Sequence, residues 1–181
     1  MKSINLSNLS DNIEGVHSSL GTYMQYCAIY CLTSQNHYSG IKFNIKTNKK
    51  SVEYEIWWDV IADNNLQKSI GDKETVTEFG AMGVAILLTL ELTDYRYFES
   101  AGKGTGVDFW LFKDNSEKDL YVENAASLEI SGIRTSNVSN NLLKRLNLKK
   151  KQAQKSKDKS KQTYIAIIEF GKPESLYITL Q

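Results

Sequence analysis

The chain has 181 residues, of which 41% are hydrophobic and 24% are charged, and its net charge is +1. A chain of this length and composition builds one domain whose core needs no disulfide bonds, so a single domain over residues 1–181 is expected. No run reaches the roughly 18 consecutive apolar residues of a membrane helix, and no signal peptide is predicted at the N terminus. These features predict a cytoplasmic protein that does not enter a membrane.

The first half of the chain alternates between helical and strand patterns. Residues 1–10 are polar and are expected to be mobile. Apolar residues at helical spacing then predict a helix over residues 12–34, with both cysteines one turn apart on its core side. Residues 41–45 and 52–57 alternate between apolar and polar side chains with period two, as half-buried strands do. Together these two segments predict a β-hairpin.

The second half begins with the longest buried helix, predicted over residues 72–92 with Thr75 or Thr77 as its N-cap. Periodicity and turn residues predict the elements that follow. In chain order these are strands at 95–99, 107–112 and 127–131, a helix at 137–151, and strands at 164–170 and 175–180. A lysine-rich loop over residues 149–162 is expected before the closing strands. This order predicts an α/β fold of the mixed α+β kind, with a central mixed β-sheet flanked by helices.

Two carboxylates occur within otherwise apolar strands. Asp108 is followed directly by Phe109, and Glu129 lies between Leu128 and Ile130. A carboxylate in such surroundings usually has a charged partner or a metal ion. Ordinary surface carboxylates at strand ends are the alternative interpretation, and the sequence pattern leaves both open.

A metal ion that cleaves phosphodiesters needs hard oxygen ligands on a rigid frame. Carboxylates on neighbouring strands supply them, and a glutamate on the preceding helix often completes the set. A lysine two residues after the second carboxylate shares its face of the strand and lies beside the metal. Glu78, Asp108 and Glu129 follow this order along the chain.

The segment from about residue 75 to residue 132 resembles the restriction-endonuclease-like superfamily with the PD-(D/E)XK signature. The residues that carry the resemblance are Gly106-Val107-Asp108-Phe109-Trp110-Leu111 and Leu128-Glu129-Ile130-Ser131. The resemblance implies a restriction-endonuclease-like fold and hydrolysis of nucleic-acid phosphodiesters with Mg²⁺ or Mn²⁺. It also implies that Asp108 and Glu129 are metal ligands and that Glu78 is an accessory ligand.

The sequence departs from the superfamily at Ser131, which stands where a lysine is usual. A serine hydroxyl donates a hydrogen bond but brings no positive charge to the scissile phosphate. Lys103, in the glycine-rich turn, and Arg134 are candidates for the missing cation. The candidate catalytic residues are therefore Asp108, Glu129, Ser131 and Lys103.

Positive charge is concentrated towards the C terminus. Residues 132–163 hold ten basic side chains and one acidic side chain, whereas residues 1–131 hold 11 basic and 18 acidic ones. Such asymmetry is typical of contact with an anionic partner, here DNA or RNA. No aromatic residues interleave the lysine tract, so only phosphate contacts are predicted. The candidate nucleic-acid-binding residues are Lys144, Arg145, Lys149, Lys150 and Lys151.

Two functional hypotheses follow from these residues. The first is a metal-dependent nuclease centred on Asp108 and Glu129. The second is a catalytically inactive nuclease-like module that binds a protein partner or nucleic acid, for example as an accessory in a bacterial defence or mobile-element system. Ser131 supports the second hypothesis, and an exposed tryptophan at Trp57 or Trp58 would suit a protein partner. An oligomer is compatible with both.

Overall fold

The computed structural model describes residues 2–61, 64–69, 71–102, 104–114, 125–155 and 162–180. Within these residues the chain forms eight β-strands, four α-helices and one short 3-10 helix. In chain order they are β1 (Lys2–Asn5), the 3-10 helix (Leu6–Ser10), α1 (Ser18–Thr33), β2 (Ile41–Thr47), β3 (Ser51–Trp57), α2 (Asn64–Ser69), α3 (Lys73–Leu92), β4 (Tyr97–Ser100), β5 (Phe109–Phe112), β6 (Ala126–Ile133), α4 (Leu142–Lys155), β7 (Gln162–Glu169) and β8 (Glu174–Leu180).

The eight described strands lie in one mixed sheet with the order β1-β3-β2-β8-β7-β6-β5-β4. β4, β5 and β6 form an antiparallel meander, and α4 then crosses over the sheet so that β7 runs parallel to β6. The predicted hairpin is present as β2 and β3, and β2 joins the rest of the sheet through a parallel pairing with β8. This architecture confirms the predicted fold class, a mixed sheet flanked by helices.

Helices cover both faces of the central strands. α1 and α3 pack together on one face, where the main apolar cluster includes Leu128, Ile130 and Ala166. α4 covers the other face through a smaller cluster that includes Ile165 and Ile167. Successive residues of β7 thus point to opposite faces of the sheet, and both faces are covered by helices. This explains why its sequence is continuously apolar rather than alternating.

α3 is the central helix of the core. The Asp72 side chain accepts hydrogen bonds from the backbone amides of Glu74 and Thr75, at 3.3 and 3.0 Å, so Asp72 is the N-cap rather than the predicted Thr75 or Thr77. By length and composition α3 could cross a membrane, but 61% of its most apolar 18-residue window is buried inside the protein. Most of this window therefore lies in the protein core.

The N-terminal residues differ from the prediction of a mobile segment at 1–10. Residues 2–5 form β1, which pairs in parallel with β3, and Leu6 and Leu9 of the 3-10 helix are fully buried against α1 and α3. The apolar side chains at positions 4, 6 and 9 explain the difference, because they complete the core. α1 also begins later than predicted, after a turn in which Gly15 has a φ of +83°.

The predicted lysine-rich loop is helical over much of its length. α4 continues to Lys155, so residues 149–155 extend the helix instead of leaving it, and Gln162 already belongs to β7. Residues 156–161 lie outside the described residues. The tract is rich in lysine, glutamine and alanine, which favour helix, so the helix has no local reason to stop at Lys151.

Candidate functional site

The site lies where β5 begins beside β6. β5 has four residues and pairs only with residues 126–128 of β6, which itself has eight residues. The register that pairs Phe109 with Leu128 places Asp108 beside Glu129 on the neighbouring strand. Beyond this point β6 has no β5 residue next to it in the described part of the chain. A gap in the sheet therefore opens between α3 and α4.

Asp108 is fixed to β6 by two hydrogen bonds. Its backbone amide donates to the carbonyl oxygen of Leu128 at 3.1 Å. The Ile130 amide donates to Asp108 Oδ2 at 2.7 Å, so the carboxylate takes the place of a strand carbonyl just past the last residue pair. This position orients the Asp108 side chain before any ligand is bound.

Glu129 is the buried carboxylate of the site. Leu128 and Ile130 on either side of it point towards α1 and α3, so Glu129 points to the opposite face of the sheet, under α4. Its side chain is 1% exposed. Burial of a charged carboxylate to this degree is costly unless a cation accompanies it.

Lys149 of α4 supplies that cation. Its Nζ lies 3.2 Å from Glu129 Oε2 and 3.8 Å from Asp108 Oδ2. The shorter ion pair is also the more buried one, because the Glu129 side chain is 1% exposed whereas that of Asp108 is 30% exposed. The Lys149 side chain, which both pairs share, is 20% exposed. The two carboxylates that the sequence predicts as metal ligands therefore converge on a single ammonium group.

A cleft of about 640 Å³ opens onto this cluster. Its walls are the first turns of α3, the end of β6 and one side of α4. Its charged and hydroxyl lining comprises Lys73, Glu74, Thr77, Glu78, Asp108, Ser131, Arg134, Thr135, Arg145 and Lys149. The cleft thus combines acidic groups from α3 and the start of β5 with basic groups from α3, α4 and the residue that follows β6.

The side of α4 that faces the cleft follows helical spacing. Arg145, Lys149 and Gln152 occur at i, i+4 and i+7 and line the cleft together. Leu142 and Leu146 on the adjacent side of the helix pack onto the sheet and fix its rotation. Arg145 and Lys149 are about 6 Å apart along the helix axis, given the rise of about 1.5 Å per residue.

The structure divides the predicted nucleic-acid-binding residues into two groups. Arg145 and Lys149 line the cleft, and Arg145 Nε donates to Asn140 Oδ1 at 2.7 Å. Lys144, Lys150 and Lys151 lie on other sides of α4 and outside the cleft lining. The basic tract therefore presents two cationic side chains to the cleft rather than five.

The other predicted site residues have different positions. Glu78 is exposed on α3 and lines the cleft, and Ser131 lines it from β6, on the same side of the strand as Glu129. Arg134 also lines the cleft, but its guanidinium is held by α1, since Nη2 donates to the Oγ of the residue after that helix, Ser34, at 2.6 Å and the group stacks over the Tyr30 ring. Lys103 lies outside the described residues.

A three-acid metal cluster is not formed. Among the residues that the structure describes, no three or more histidine, cysteine, aspartate or glutamate side chains are close enough to hold one ion. Glu78 shares the cleft with Asp108 without joining such a group. Two carboxylates, Asp108 and Glu129, are consequently the donor set that the described residues offer to a metal.

Sequence reasoning missed the partnership of Lys149 with the two carboxylates. The helical spacing of Leu142 and Leu146 indicates which side of α4 packs on the sheet, and hence that Lys149 lies at the margin of that side. It does not indicate which strand lies beneath the helix. That placement depends on the crossover from β6 to β7, a tertiary feature.

No protein-family model, curated protein or solved structure matches this chain. The function is accordingly argued from the side chains of the site and their surroundings. The relevant features are the buried Glu129, the oriented Asp108, the shared Lys149 ammonium and the cleft that Asp108 and Lys149 line.

Proposed function

We propose that this protein is a metal-dependent nuclease that hydrolyses phosphodiester bonds of DNA or RNA in the cleft between α3 and α4. The observation that carries the proposal is the convergence of Asp108 and Glu129 on Lys149 at the base of the cleft. Lys149 of α4 brings a positive charge to the site, which the Ser131 hydroxyl does not provide. In this proposal, Lys149 supplies the positive charge that the lysine of the superfamily signature would bring.

The donor set suits a hard divalent cation. Asp108 and Glu129 offer carboxylate oxygens, the ligands that Mg²⁺ and Mn²⁺ prefer, and water completes the coordination of such ions in most proteins. Glu78, exposed on the same cleft, is the proposed accessory ligand. When bound, the ion would supply Lewis-acid activation of water and of the scissile phosphate.

The protein's own side chains have distinct roles in this proposal. Asp108 is held in place by the Ile130 amide, so no reorientation is needed when substrate arrives. The Lys149 ammonium stabilises the negative charge that develops on the phosphate oxygens. The Ser131 hydroxyl, two residues from Glu129 on the same side of β6, donates a hydrogen bond to the same phosphate.

Arg145 extends this contact along the nucleic-acid backbone. It lies one turn from Lys149 on the cleft side of α4, so it is placed to bind a phosphate next to the scissile one. We expect Arg145→Gln to weaken binding of an oligonucleotide and to reduce the slope of log K against log salt by about one. Fluorescence anisotropy at several KCl concentrations measures both quantities.

Lys144→Gln is the matched control, because it removes one positive charge from the neighbouring residue on an exposed side of α4. It should change the affinity and the slope much less than Arg145→Gln. Equal effects of the two variants would mean that the helix acts through its overall charge and that the cleft is not where the strand lies.

Cleavage assays test the catalytic proposal. Wild type, Asp108→Asn, Glu129→Gln, Lys149→Met and the control Lys150→Met would be incubated with single- and double-stranded DNA and RNA in Mg²⁺ or Mn²⁺. We expect wild type and Lys150→Met to cut, and the three site variants to lose at least about a hundredfold in rate. Circular dichroism establishes which variants are folded. Equal activity in all variants would assign the cleavage to a contaminant.

The alternative is a module that binds without cutting. It is favoured by the ion pairs themselves, because Lys149 already offsets one of the two carboxylate charges, and the described residues bring no third acid to the cluster. Trp57, 46% exposed on β3, would suit a protein partner in that case. A folded wild type that binds oligonucleotide but never cleaves it, with either metal, would establish this alternative.

A further inference from the structure

We propose that a second cleft, at the opposite end of α3 from the carboxylate site, binds a ligand that carries both an aromatic base and a phosphate group. The cleft has a volume of about 790 Å³, within the usual range for small-molecule sites. α3 spans about 30 Å over its twenty residues, which separates the two clefts. The proposal does not depend on the nuclease activity.

Aromatic side chains form one wall of this cleft. The Tyr164 ring lies 5.8 Å from that of Tyr95, edge to face, and 5.6 Å from that of Tyr177. Two of the hydroxyls are held, since Tyr164 donates to Gln162 Oε1 at 2.9 Å and Tyr177 shares a hydrogen bond of 2.9 Å with Thr89. Tyr164 and Tyr177 are buried, whereas Tyr95 is half-exposed. Tyr95 is thus the ring on which a base can stack.

Lysine side chains form the cationic rim of the cleft, on either side of the strands β7 and β8 that carry Tyr164 and Tyr177. Lys49 and Lys50 come from the turn between β2 and β3, and Lys113 follows β5. In the described part of the chain no carboxylate lies within 4.0 Å of these three ammonium groups. With respect to the described residues, these ammonium groups are therefore available to donate charge-assisted hydrogen bonds to a phosphate.

The position of the rim is fixed by hydrogen bonds. Asn48 Nδ2 donates to the carbonyl oxygen of Thr179 at 3.0 Å, and the Thr179 amide donates to Asn48 Oδ1 at 2.8 Å. This pair of bonds ties the turn that carries Lys49 and Lys50 to β8. The cationic rim and the tyrosine wall are therefore held relative to one another before a ligand binds.

The acidic residues of the cleft leave it with an excess of positive charge. Glu91 is offset by an ion pair of 2.8 Å with Lys2, so Asp94 is the remaining acid in the lining. Arg96 is committed to structure, because Nη1 donates to the carbonyl oxygens of Thr93 and Tyr95 at 2.7 Å. It orients the segment that carries Tyr95 and leaves the phosphate to the lysines.

The tyrosine wall and the lysine rim line the same cleft, and together they indicate the class of ligand. Inorganic phosphate would use only the lysines, and a nucleoside would use only the tyrosine wall. A nucleoside monophosphate uses both, as does the terminal nucleotide of an oligonucleotide. The geometry therefore favours a nucleotide over either of its parts.

Isothermal titration calorimetry on the full chain tests the proposal with four probes: adenosine monophosphate, adenosine, inorganic phosphate and a 5′-phosphorylated diadenylate. We expect adenosine monophosphate to bind at least about tenfold more tightly than adenosine or phosphate. Tighter binding of the diadenylate than of the monophosphate would identify an oligonucleotide end as the source of the ligand. Equal binding of the two would identify a free nucleotide.

Variants locate the binding site. Tyr95→Leu should weaken adenosine monophosphate about tenfold and leave phosphate unchanged, whereas Lys49→Gln/Lys50→Gln, on an exposed turn, should weaken both and leave adenosine unchanged. Arg145→Gln in the first cleft is the control and should have no effect. The proposal is overturned if adenosine monophosphate binds no better than phosphate, or if only Arg145→Gln weakens it.

Discussion

Lys149 has a structural role as well as the proposed catalytic one, because its ammonium group accompanies a carboxylate that is 1% exposed. We expect Lys149→Met to lower the free energy of unfolding by about 3 kcal/mol, the lower end of the range for breaking a buried ion pair, since Lys149 itself is partly exposed. Urea denaturation at pH 7 measures this. Lys150→Met, the adjacent control, should change stability by less than about 0.5 kcal/mol.

The double variant Lys149→Met/Glu129→Gln separates the two contributions. Removing the carboxylate charge should restore part of the lost stability, because the buried group is then neutral. An additive loss in the double variant would show that Glu129 and Lys149 do not interact energetically. Recovery of stability would show that the loss in Lys149→Met comes from the Glu129 carboxylate left without its cation.

Gly132 links β6 to α3, the two elements that border the carboxylate cleft. A Cβ atom at this position would lie 2.5 Å from the carbonyl oxygen of Thr77 and 3.1 Å from Ala81 Cβ. We therefore expect Gly132→Ala to force α3 away from the sheet and to lower the free energy of unfolding by about 1–3 kcal/mol. Gly102→Ala is the control, since no described atom outside its chain neighbours would lie within 4 Å of a Cβ at that position. A stable Gly132→Ala would mean that α3 shifts without cost.

Elements with a strong local pattern were predictable, and those that depend on distant partners were not. The alternation in β2 and β3 and the apolar length of α3 identify these elements without reference to the rest of the chain. β1 has only four residues and is defined by its parallel pairing with β3, about fifty positions away. No local signal specifies such a pairing.

The same distinction applies to the candidate site. Asp108 and Glu129 stand out because carboxylates interrupt apolar strands, and the structure brings them together as cross-strand neighbours. Lys149 does not stand out, since it is one of several lysines in a basic tract. Its importance comes from where α4 lies over the sheet, which the sequence of the helix does not contain.

Buried cysteine thiols and tyrosine hydroxyls make the stability of the whole protein sensitive to alkaline pH. Burial raises the pKa of Cys27 from 9.0 to about 11 and that of Cys31 from 9.0 to about 12. Burial also raises the pKa of Tyr164 from 10.0 to about 12, and that of Tyr177 rises for the same reason. In the unfolded chain these groups lose their protons near pH 9 and 10, while the folded protein retains them.

This difference stabilises the unfolded state as pH rises. We expect the free energy of unfolding to be insensitive to these groups below about pH 8 and to fall by about 3 kcal/mol between pH 8 and pH 10. Urea denaturation at constant ionic strength gives the pH profile. Cys31→Ala should make the decline shallower, because one of the titrating groups is absent. An unchanged slope would show that the thiol does not contribute.

The central position of β8 constrains the order in which the protein is assembled during translation. β8 lies between β2 and β7, although it is the last of the described strands to be synthesised. Until residues 174–180 emerge from the ribosome, the hairpin of β2 and β3 cannot join β7, and both halves of the sheet present an unpaired edge. A nascent chain stalled just before this segment would therefore hold two open templates for aggregation, which a chaperone that shields strand edges would need to cover.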